Sequence, residues 1–459
     1  MRQTDKAWDI IVIGAGAAGM MAACTAAAHG ASVLVLEKNE KAGKKIYITG
    51  KGRCNFTNAC DTEDFFAHVA RNSSFLYSSV YGFDSHAVMD WFEQRGVRTK
   101  VERGMRAFPL SDHASDITRC LEKEMERLGV VTRFGTEVKE LLFSEETQQG
   151  KELSPEVQQG NDLAPEAQRK DARPAESNGC RSVRGVRLRD HTEYYAREVI
   201  VATGGLSYPS TGSTGDGYRF ARSAGHAVSS TLPSLVPFEA AQEDIRKLQG
   251  LSLKNVTFTL LDGKKTLYRE MGEMMFTHFG VTGPLILSAS AAAADRLAGK
   301  QLEAEIDLKP ALSEEKLDAR ILREFDAGRN RSVKNAVRNL YPSALVPVIL
   351  QRAGIPQDLA VHDITASRRR ELIRQTKHFA LTITSLRGYG EAVITRGGVN
   401  VKQVDPGTME SKLVSGLYFA GEVLDVDALT GGFNLQIAWS TGHAAGEAAA
   451  MAATTLPAF

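Results

Sequence analysis

Three glycine residues near the N-terminus have a spacing that lets the backbone approach a phosphate group. Gly14, Gly16 and Gly19 form the pattern G-x-G-x-x-G. In this pattern the first glycine permits a sharp turn, the second leaves space for a pyrophosphate, and the third lets a helix pack close to a sheet. The helix that follows begins at about Ala17 and Ala18, and its unpaired N–H groups attract phosphate oxygens. These residues therefore predict a pyrophosphate-binding turn.

The segments on either side of this turn supply the elements that must position it. An apolar run at 10–13 precedes the turn, and a second run at 33–36 follows an alanine-rich stretch and ends at Glu37. The order predicts a strand, a helix and a second strand, which is one βαβ unit. Glu37 can accept hydrogen bonds from a ribose hydroxyl and repels a 2′-phosphate. The adjacent Lys38 is a further candidate cofactor-binding residue. The unit predicts an adenosine dinucleotide but does not separate FAD from NAD.

A second polar segment, at 45–58, is dense in glycine, basic residues and amide side chains. Its backbone N–H groups and cations could close over the pyrophosphate and the edge of a flavin ring, whereas the alternative is a solvated basic turn. Cys54 is a candidate reactive thiol, although a lone cysteine also serves as a small packed residue. The candidate ligand-binding residues of this segment are Lys45, Gly50, Gly52, Arg53, Cys54 and Asn55.

Two later apolar strands also end in glycine turns. One leads into Ala202, Thr203 and Gly204, and the other, about four hundred residues after the first motif, leads into Gly421 and Glu422. We expect both strands to join the dinucleotide sheet, where their glycines allow close approach of the backbone to a ligand. The acid of the second turn can hold the ribityl chain or the pyrophosphate of FAD.

The last helix is expected to begin beside Gly432, Asn434 and Leu435. Its positive N-terminal end would face the pyrimidine ring of a flavin and stabilise negative charge on the reduced ring. An NAD dehydrogenase does not need this second, C-terminal contact, so the pair of motifs predicts FAD. No histidine, cysteine or tyrosine lies in a recognisable attachment pattern, and the FAD is therefore expected to be non-covalent.

Length and composition limit the class of protein. The chain has 459 residues, 43% hydrophobic and 24% charged residues and a net charge of +1, as expected for a globular enzyme of two or three domains. No signal peptide or membrane span is expected, and no nucleic-acid partner is expected from the net charge. The five cysteines are far apart, which argues against a metal site and indicates a cytoplasmic protein.

The expected fold is α/β, with a Rossmann-like FAD-binding domain built from both chain ends, residues 1–232 and 386–459. Residues 233–310 are expected to form an inserted β-barrel, and residues 311–385 a helical subdomain. Within 144–182 the segment E-T-Q-Q-G-K-E-L-S-P-E is followed by E-V-Q-Q-G-N-D-L-A-P-E. This polar repeat predicts a flexible loop insertion. The basic residues of the helical subdomain are interpreted as a solvated face, and an RNA-binding patch is the alternative.

His278 is the candidate catalytic residue on the substrate side. It lies in the glycine-bounded segment F-T-H-F-G-V-T-G-P, where a histidine could donate a proton or hydrogen-bond a carbonyl group. The alternative is a histidine that packs beside Phe276 and Phe279.

Taken together, the motifs resemble those of the bacterial BaiN/YhiN-like flavoproteins, a family of NAD(P)/FAD-dependent oxidoreductases. The matching segments are G-A-G-A-A-G at Gly14, G-K-G-R-C-N-F-T-N at Gly50, A-T-G-G at Ala202, F-T-H-F-G-V-T-G-P at Phe276, T-R-G-G-V at Thr395, A-G-E at Ala420 and T-G-G-F-N-L-Q-I-A-W-S-T-G at Thr430. The resemblance extends nearly end to end. It implies an FAD domain formed by both chain ends, with a barrel and helices inserted, and reduction of unsaturated 3-oxo steroid rings as one candidate activity.

The leading functional hypothesis is hydride transfer from flavin N5 to a small or steroid-like organic acceptor. The sequence has one dinucleotide fingerprint, so NAD(P)H would bind transiently over the flavin, or another protein would supply electrons. The alternatives are an FAD-dependent oxidase of a small amine that uses O₂, and a flavin-dependent RNA-modifying or flavin-binding partner protein. The oligomeric state is not predicted.

Overall fold

The structure is a computed structural model that describes residues 7–144, 181–297 and 299–455. The expected loop insertion at 144–182 lies outside the described residues, apart from Ser144, Arg181 and Ser182. No helix in the described ranges combines the length and the apolar content that crossing a membrane requires.

The described strands are β1 Trp8–Ile13, β2 Val33–Leu36, β3 Thr57–Asn58, β4 Val69–Arg71, β5 Thr99–Glu102, β6 Arg106–Pro109, β7 Val131–Arg133, β8 Val138–Phe143, β9 Val183–Leu188, β10 Glu193–Val201, β11 Leu232–Ser234, β12 Phe238–Ala240, β13 Ser252–Asp262, β14 Lys265–Phe276, β15 Gly280–Thr282, β16 Leu302–Asp307, β17 Phe379–Leu386, β18 Ile394–Arg396, β19 Leu417–Phe419 and β20 Asp427–Ala428. The described α-helices are α1 Ala17–Ala28, α2 Lys44–Ile48, α3 Thr62–Ala67, α4 Tyr77–Gly82, α5 Ser85–Glu93, α6 Ala114–Arg127, α7 Asp216–Ser223, α8 Glu243–Arg246, α9 Pro284–Ala293, α10 Glu314–Ala327, α11 Val333–Ala336, α12 Leu345–Arg352, α13 Ala366–Lys377 and α14 Phe433–Thr455.

A seven-stranded sheet forms the centre of the dinucleotide-binding domain. Its order is β7-β2-β1-β10-β9-β8, with β19 paired to β10. β1 lies parallel to both β2 and β10, and β19 adds a further parallel strand. The predicted βαβ unit is confirmed, and so is the prediction that both ends of the chain contribute to one sheet.

Apolar composition explains why these parallel strands lie in the centre of the sheet. The sequences of β1 and β2 are nearly continuous aliphatic runs, and helices cover such strands on both faces. Helices α1 and α14 pack closely because Gly442 and Gly446 face Ala18 and Ala22. A Cβ atom on either glycine would lie 2.4 Å from the facing carbonyl oxygen, so only glycine fits.

A closed six-stranded barrel follows, as expected, with the order β12-β15-β14-β13-β16-β17. All but the last residue of its final strand, β17, falls in 311–385, where a helical subdomain was expected. The chain leaves the barrel after β16, forms α10 to α13, and returns as β17. Phe379, Leu381 and Ile383 are fully buried and alternate with residues that are exposed or partly exposed, which is the pattern of a strand with one face on the core.

Among the described strands, three small sheets accompany the central sheet and the barrel. β3 pairs with β6, and β6 pairs with β5, so that Asn58 is the cross-strand neighbour of Arg106. β20 pairs with β4, which places Asp427 opposite Arg71. β11 pairs with β18 between the barrel and the central sheet. These short pairs hold the walls of the cavity described below.

Candidate functional site

One large cavity, of about 1280 Å³, contains most of the predicted ligand-binding residues. Its wall includes the carboxyl ends of β1, β2 and β10, the first turn of α14 and one side of the barrel. Ligands of open α/β sheets bind at these strand ends. The cavity therefore extends from the predicted dinucleotide turn to the inserted barrel.

The three glycines of the first motif have the geometry that their spacing predicts. Gly14 has a φ of +102°, and a Cβ atom there would lie 2.7 Å from the carbonyl oxygen of Ala202. A Cβ atom on Gly19 would lie 1.9 Å from the carbonyl oxygen of Gly14, so this position must pack without a side chain. Gly16 lines the cavity with no protein atom near its missing Cβ. The second glycine thus leaves the space that a pyrophosphate needs.

Glu37 lies at the end of β2 with a fixed, buried carboxylate. Its Oε2 accepts a hydrogen bond from the N–H of Ala15 at 2.7 Å. Its Oε1 accepts from the N–H and the Nδ2 of Asn39, at 2.8 and 2.7 Å. A carboxylate has further lone pairs, and Glu37 lines the cavity, so it can also accept a ribose hydroxyl.

Lys38 takes part in a group of hydrogen bonds that link the end of β2 to residues 211–216. Its Nζ donates to Asp216 Oδ2 at 2.6 Å and to Thr214 Oγ1 at 2.5 Å. Asn39 Nδ2 donates to the carbonyl oxygen of Thr211 at 3.1 Å. Asp216 therefore neutralises the positive charge of Lys38, the residue next to Glu37.

Lys45 and Glu422 meet in the middle of the cavity wall. Lys45 Nζ lies 2.5 Å from Glu422 Oε2. Glu422 Oε1 accepts from the N–H of Thr395 at 2.8 Å and from the hydroxyl of Ser207. Lys45 is therefore paired within the protein, and the two motifs at the chain ends form one polar network.

The segment after Lys45 only partly follows its prediction. Gly50, Arg53 and Asn55 line the cavity, whereas Gly52 and Cys54 are not among its lining residues. Arg53 lies over the ring of Phe108 and pairs with Glu102 and Asp112, so its charge is already neutralised.

The reactive-thiol interpretation of Cys54 is wrong. The side chain is fully buried, and burial raises the pKa of its thiol to about 12. A buried thiol of this kind stays protonated and unreactive near neutral pH. Cys54 instead occupies a left-handed backbone position (φ 59°) and packs in the core of the dinucleotide domain.

Two polar atoms in the cavity wall provide a test of whether FAD fits. Asn55 Oδ1 and Thr203 Oγ1 are buried and have no hydrogen-bond partner among the described residues. Buried polar atoms in native proteins normally have partners, and both residues line the cavity beside the glycine turns. Ala202 and Gly204 also line it, and Gly204 has a φ of +72°. The cavity volume, the open space at Gly16 and these polar atoms fit a dinucleotide.

The start of α14 forms the opposite wall. Gly431 and Gly432 have φ values of +134° and +101°, and a Cβ atom on Gly432 would lie 2.3 Å from the carbonyl oxygen of Thr57. Asn434 holds the entry to the helix, because its Oδ1 accepts from the N–H of Ala428 and its Nδ2 donates to the carbonyl of the same residue. Together with Leu435, these residues line the cavity.

His278 does not join this group of residues. It lies on the exposed turn between β14 and β15, outside the cavity lining, and packs edge-to-face against Phe279 with 4.9 Å between ring centroids. The structure therefore does not support His278 as a catalytic residue. The sequence motif reflects the close turn into α9, where a Cβ atom on Gly283 would lie 2.9 Å from the Cα of Met274.

The barrel end of the cavity contains residues that sequence reasoning missed. Aliphatic side chains from separate segments pack together there, namely Leu235, Leu287, Val393, Ile394 and Leu429. Met105, Met274 and Met275 also line this region, and methionines adapt to ligands of different shape. Arg106 also lines the cavity, as does Asn58 from the polar segment at 45–58, which the sequence had already indicated as a source of hydrogen bonds to a ligand. No local spacing marks the other residues, because they come from distant elements.

No group of three His, Cys, Asp or Glu side chains in the described part of the chain is arranged to hold a metal ion. Cys24, Cys54, Cys60 and Cys120 are free thiols.

Comparisons with known proteins agree with this architecture. The family model described as "HI0933-like protein Rossmann domain" matches residues 8–167 and 169–448. The chain is 31% identical to a 3-dehydro-bile acid Δ(4,6)-reductase of Clostridium scindens, over 96% of this chain and 98% of that protein. It is 32% identical to a ribosomal RNA dihydrouridine synthase of Haemophilus influenzae, over 95% of this chain and 96% of that protein.

A solved structure has the same fold at low sequence identity. It is a 3-ketosteroid-Δ4-(5α)-dehydrogenase from Rhodococcus jostii in complex with 4-androstene-3,17-dione, with a TM-score of 0.50, 17% identity and 98% of each chain covered. The chain belongs to the HI0933-like Rossmann-domain family and is an FAD-dependent oxidoreductase.

Proposed function

We propose that this protein reduces a carbon–carbon double bond conjugated to a carbonyl group in a largely apolar, steroid-like acceptor. The observation that carries the proposal is the continuity of one cavity from the glycine turn at Gly14 to the aliphatic compartment beside the barrel. An apolar ring system can be buried against Leu287 and Ile394, while a few polar groups at the edge fix its orientation. The bile acid reductase relative supports this class of acceptor.

The residues that would hold FAD follow from the site. Gly14 and Gly16 would leave room for the pyrophosphate, Glu37 would accept ribose hydroxyls, and the N-terminal turn of α14 would face the flavin. Bound FAD, once reduced by NAD(P)H or by a donor protein, would supply a hydride from N5.

We propose that attachment is non-covalent. His68 lines the cavity, but its ring stacks on Phe433 with 4.4 Å between centroids. Cys60 also lines the cavity, and burial, followed by the nearby Asp64 and Asp61, raises the pKa of its thiol to about 11. Neither side chain is an activated nucleophile, so acid-denatured protein should release all of its flavin.

A second candidate acceptor is a uracil base in ribosomal RNA, because the C5=C6 bond of uracil is also conjugated to a carbonyl. Residues 311–378, between β16 and β17, contain 13 Lys and Arg but 8 Asp and Glu, a net charge of +5, whereas the whole chain has +1. A basic insertion on an otherwise acidic protein favours contact with phosphate groups. The dihydrouridine synthase relative supports this alternative to the expectation of no nucleic-acid partner.

The test is anaerobic reduction of the FAD-loaded protein by NADH, NADPH or light, followed by rapid mixing with acceptors. A steroid 4-en-3-one should reoxidise the flavin, and the saturated 3-oxo steroid, which has no double bond to reduce, should not. Reoxidation by unmodified ribosomal RNA but not by any enone would favour the second candidate. Reoxidation only by O₂, together with reduction by an amine, would support an oxidase and contradict the proposal.

A further inference from the structure

We propose that Arg106 binds the carbonyl oxygen of the acceptor and stabilises the negative charge that develops there during reduction. This inference rests on the proposed function, in which the acceptor carries a conjugated carbonyl group. The cations around the cavity differ in whether a carboxylate of the protein neutralises them.

Most cations in the cavity wall are neutralised by a carboxylate. Lys38, Lys44, Lys45 and Arg53 pair with Asp216, Glu40, Glu422 and the Glu102/Asp112 pair. Among the described lining residues that carry a lysine or arginine, Lys41 and Arg106 have no carboxylate partner. Lys41 lies over the ring of Tyr47 on the dinucleotide side. Arg106 is therefore an exposed cation of the cavity wall that no carboxylate compensates.

Backbone pairing fixes the position of Arg106. It is the first residue of β6, and in the strand register its backbone lies opposite Glu102 of β5 and Asn58 of β3. The hairpin turns at Gly104 and Met105, which both have positive φ values, of 76° and 56°. A non-glycine residue in this conformation is uncommon and is often found at a functional site.

Asn58 connects this hairpin to the flavin-binding helix. Its Nδ2 donates to the carbonyl oxygens of Gly104 and Gly431, at 3.1 and 2.9 Å. Gly431 and Gly432 immediately precede α14, whose first turn is expected to face the flavin. The hairpin that carries Arg106 is thus held next to the part of the cavity where an acceptor must lie over the flavin ring.

The guanidinium group of Arg106 is oriented but has unused donors. Its Nε donates to the carbonyl oxygen of Arg103 at 3.0 Å, and its centre lies 5.9 Å from the ring of Phe108. No other hydrogen bond from this side chain to the described residues is present. An arginine has five N–H donors, so the two terminal nitrogens remain available for a carbonyl oxygen.

The reaction provides a role for this cation. A hydride adds to the β-carbon and forms a new C–H bond, and the electrons of the double bond move through the carbonyl group onto its oxygen as an enolate. A proton from an acid or from water then adds to the α-carbon and restores the carbonyl. Arg106 keeps its own proton and lowers the energy of the enolate by a charge-assisted hydrogen bond.

The kinetic test compares Arg106→Gln, Arg106→Lys and the control Arg103→Gln, which removes an exposed arginine of the same hairpin that does not line the cavity. We expect kcat/KM for a 4-en-3-one to fall about 100-fold in Arg106→Gln, the loss typical of one oxyanion donor, and less in Arg106→Lys. Arg103→Gln should resemble the wild type, and all three should keep their flavin. Equal rates in Arg106→Gln and Arg103→Gln would overturn the assignment.

A binding test does not depend on turnover. Phenolates imitate an enolate and give a long-wavelength absorption band when they stack on oxidised flavin, so p-chlorophenol can be titrated into the FAD-loaded protein. We expect Arg106→Gln to weaken phenolate binding at least about tenfold, as the loss of one charge-assisted hydrogen bond predicts, and Arg103→Gln to leave it unchanged. Absent binding in the wild type, or equal binding in Arg106→Gln, would contradict the proposal.

The two tests separate the two proposals. If the wild type binds phenolate through Arg106 but reduces no enone, the proposed function fails and the oxygen-binding role of Arg106 stands. If the wild type reduces enones and Arg106→Gln does so equally well, the proposed function stands and the role of Arg106 fails.

Discussion

Lys45 and Glu422 are 377 positions apart in the sequence, yet Nζ of the first lies 2.5 Å from Oε2 of the second in the cavity wall. The contact joins helix α2, which follows the first βαβ unit, to the turn after β19. Because both side chains are only partly exposed, solvent screens this pair less than a surface pair, and it links the two chain ends that form the FAD domain.

A double-mutant cycle with Lys45→Met and Glu422→Gln should reveal coupling between the two residues. We expect each single change to lower the melting temperature and the flavin content, with a coupling free energy of about 1 kcal/mol after allowance for partial exposure. The pair Lys44 and Glu40, whose carboxylate side chain is 71% exposed against 12% for Glu422, is the matched control and should show weaker coupling. Additive effects in the first cycle would show that the ion pair contributes nothing.

Replacing Gly16 with valine should empty the cavity without unfolding the protein. Gly16 has a φ of −82°, which any residue can adopt, and its missing Cβ meets no protein atom within 4 Å. The new side chain therefore occupies only the space reserved for the pyrophosphate. We expect a colourless protein with the circular dichroism spectrum of the wild-type apoprotein.

Gly388→Val is the control for this experiment, because Gly388 is exposed, also has open space at its Cβ, and does not line the cavity. It should retain flavin. A yellow Gly16→Val protein with wild-type affinity for FAD would contradict the placement of the pyrophosphate.

The dinucleotide half of the site could be predicted from sequence, because local patterns determine it. Gly14, Gly16 and Glu37 lie on one βαβ unit, where the spacing along the chain fixes the spacing in space. The acceptor half has no such pattern. Arg106 and Ile394 come from short strands whose neighbours are set by tertiary pairing.

The helical assignment of β17 and the choice of His278, which the structure does not support, have the same origin. β17 was assigned to a helical segment because a single alternating run after a long helix gives a weak signal, and its barrel partners, β12 and β16, are far away in sequence. His278 has a chemically suitable side chain, but whether it reaches a cavity depends on the direction of one turn. Residue type alone does not determine that direction.

Deletion of residues 148–176, within the polar repeat, should leave flavin content and activity unchanged. The flanking strands β8 and β9 pair as an antiparallel hairpin, and the N–H of Ser144 donates to the carbonyl oxygen of Ser182 at 2.8 Å. The two ends of the segment are therefore already adjacent, and a shorter connection costs less entropy, by about 1 kcal/mol. Loss of flavin in the deleted protein would show that the segment contributes to the site.

The stability of the protein should depend on the ionisation of Asp427. This carboxyl group is fully buried, and neither oxygen has a hydrogen-bond partner among the described residues. Burial raises its pKa to about 6; Arg396 and Arg71 oppose this effect, and Asp425 and Asp295 add to it. The folded state therefore holds a proton that the unfolded chain has lost, and stability falls as the pH rises from about 4 through 6.

Asp427→Asn removes this titration. Relative to the wild type, the variant should gain about 1 kcal/mol of stability between pH 5 and pH 8, because part of the effect of the raised pKa falls below pH 5 and only the wild type must bury a negative charge at pH 8. Thermal unfolding of both FAD-loaded proteins at the two pH values measures the difference, with Asp90→Asn, at an exposed position of α5, as the control. If the melting-temperature difference between Asp427→Asn and the wild type is the same at pH 5 and pH 8, Asp427 does not titrate between these pH values in the folded protein, which contradicts the prediction.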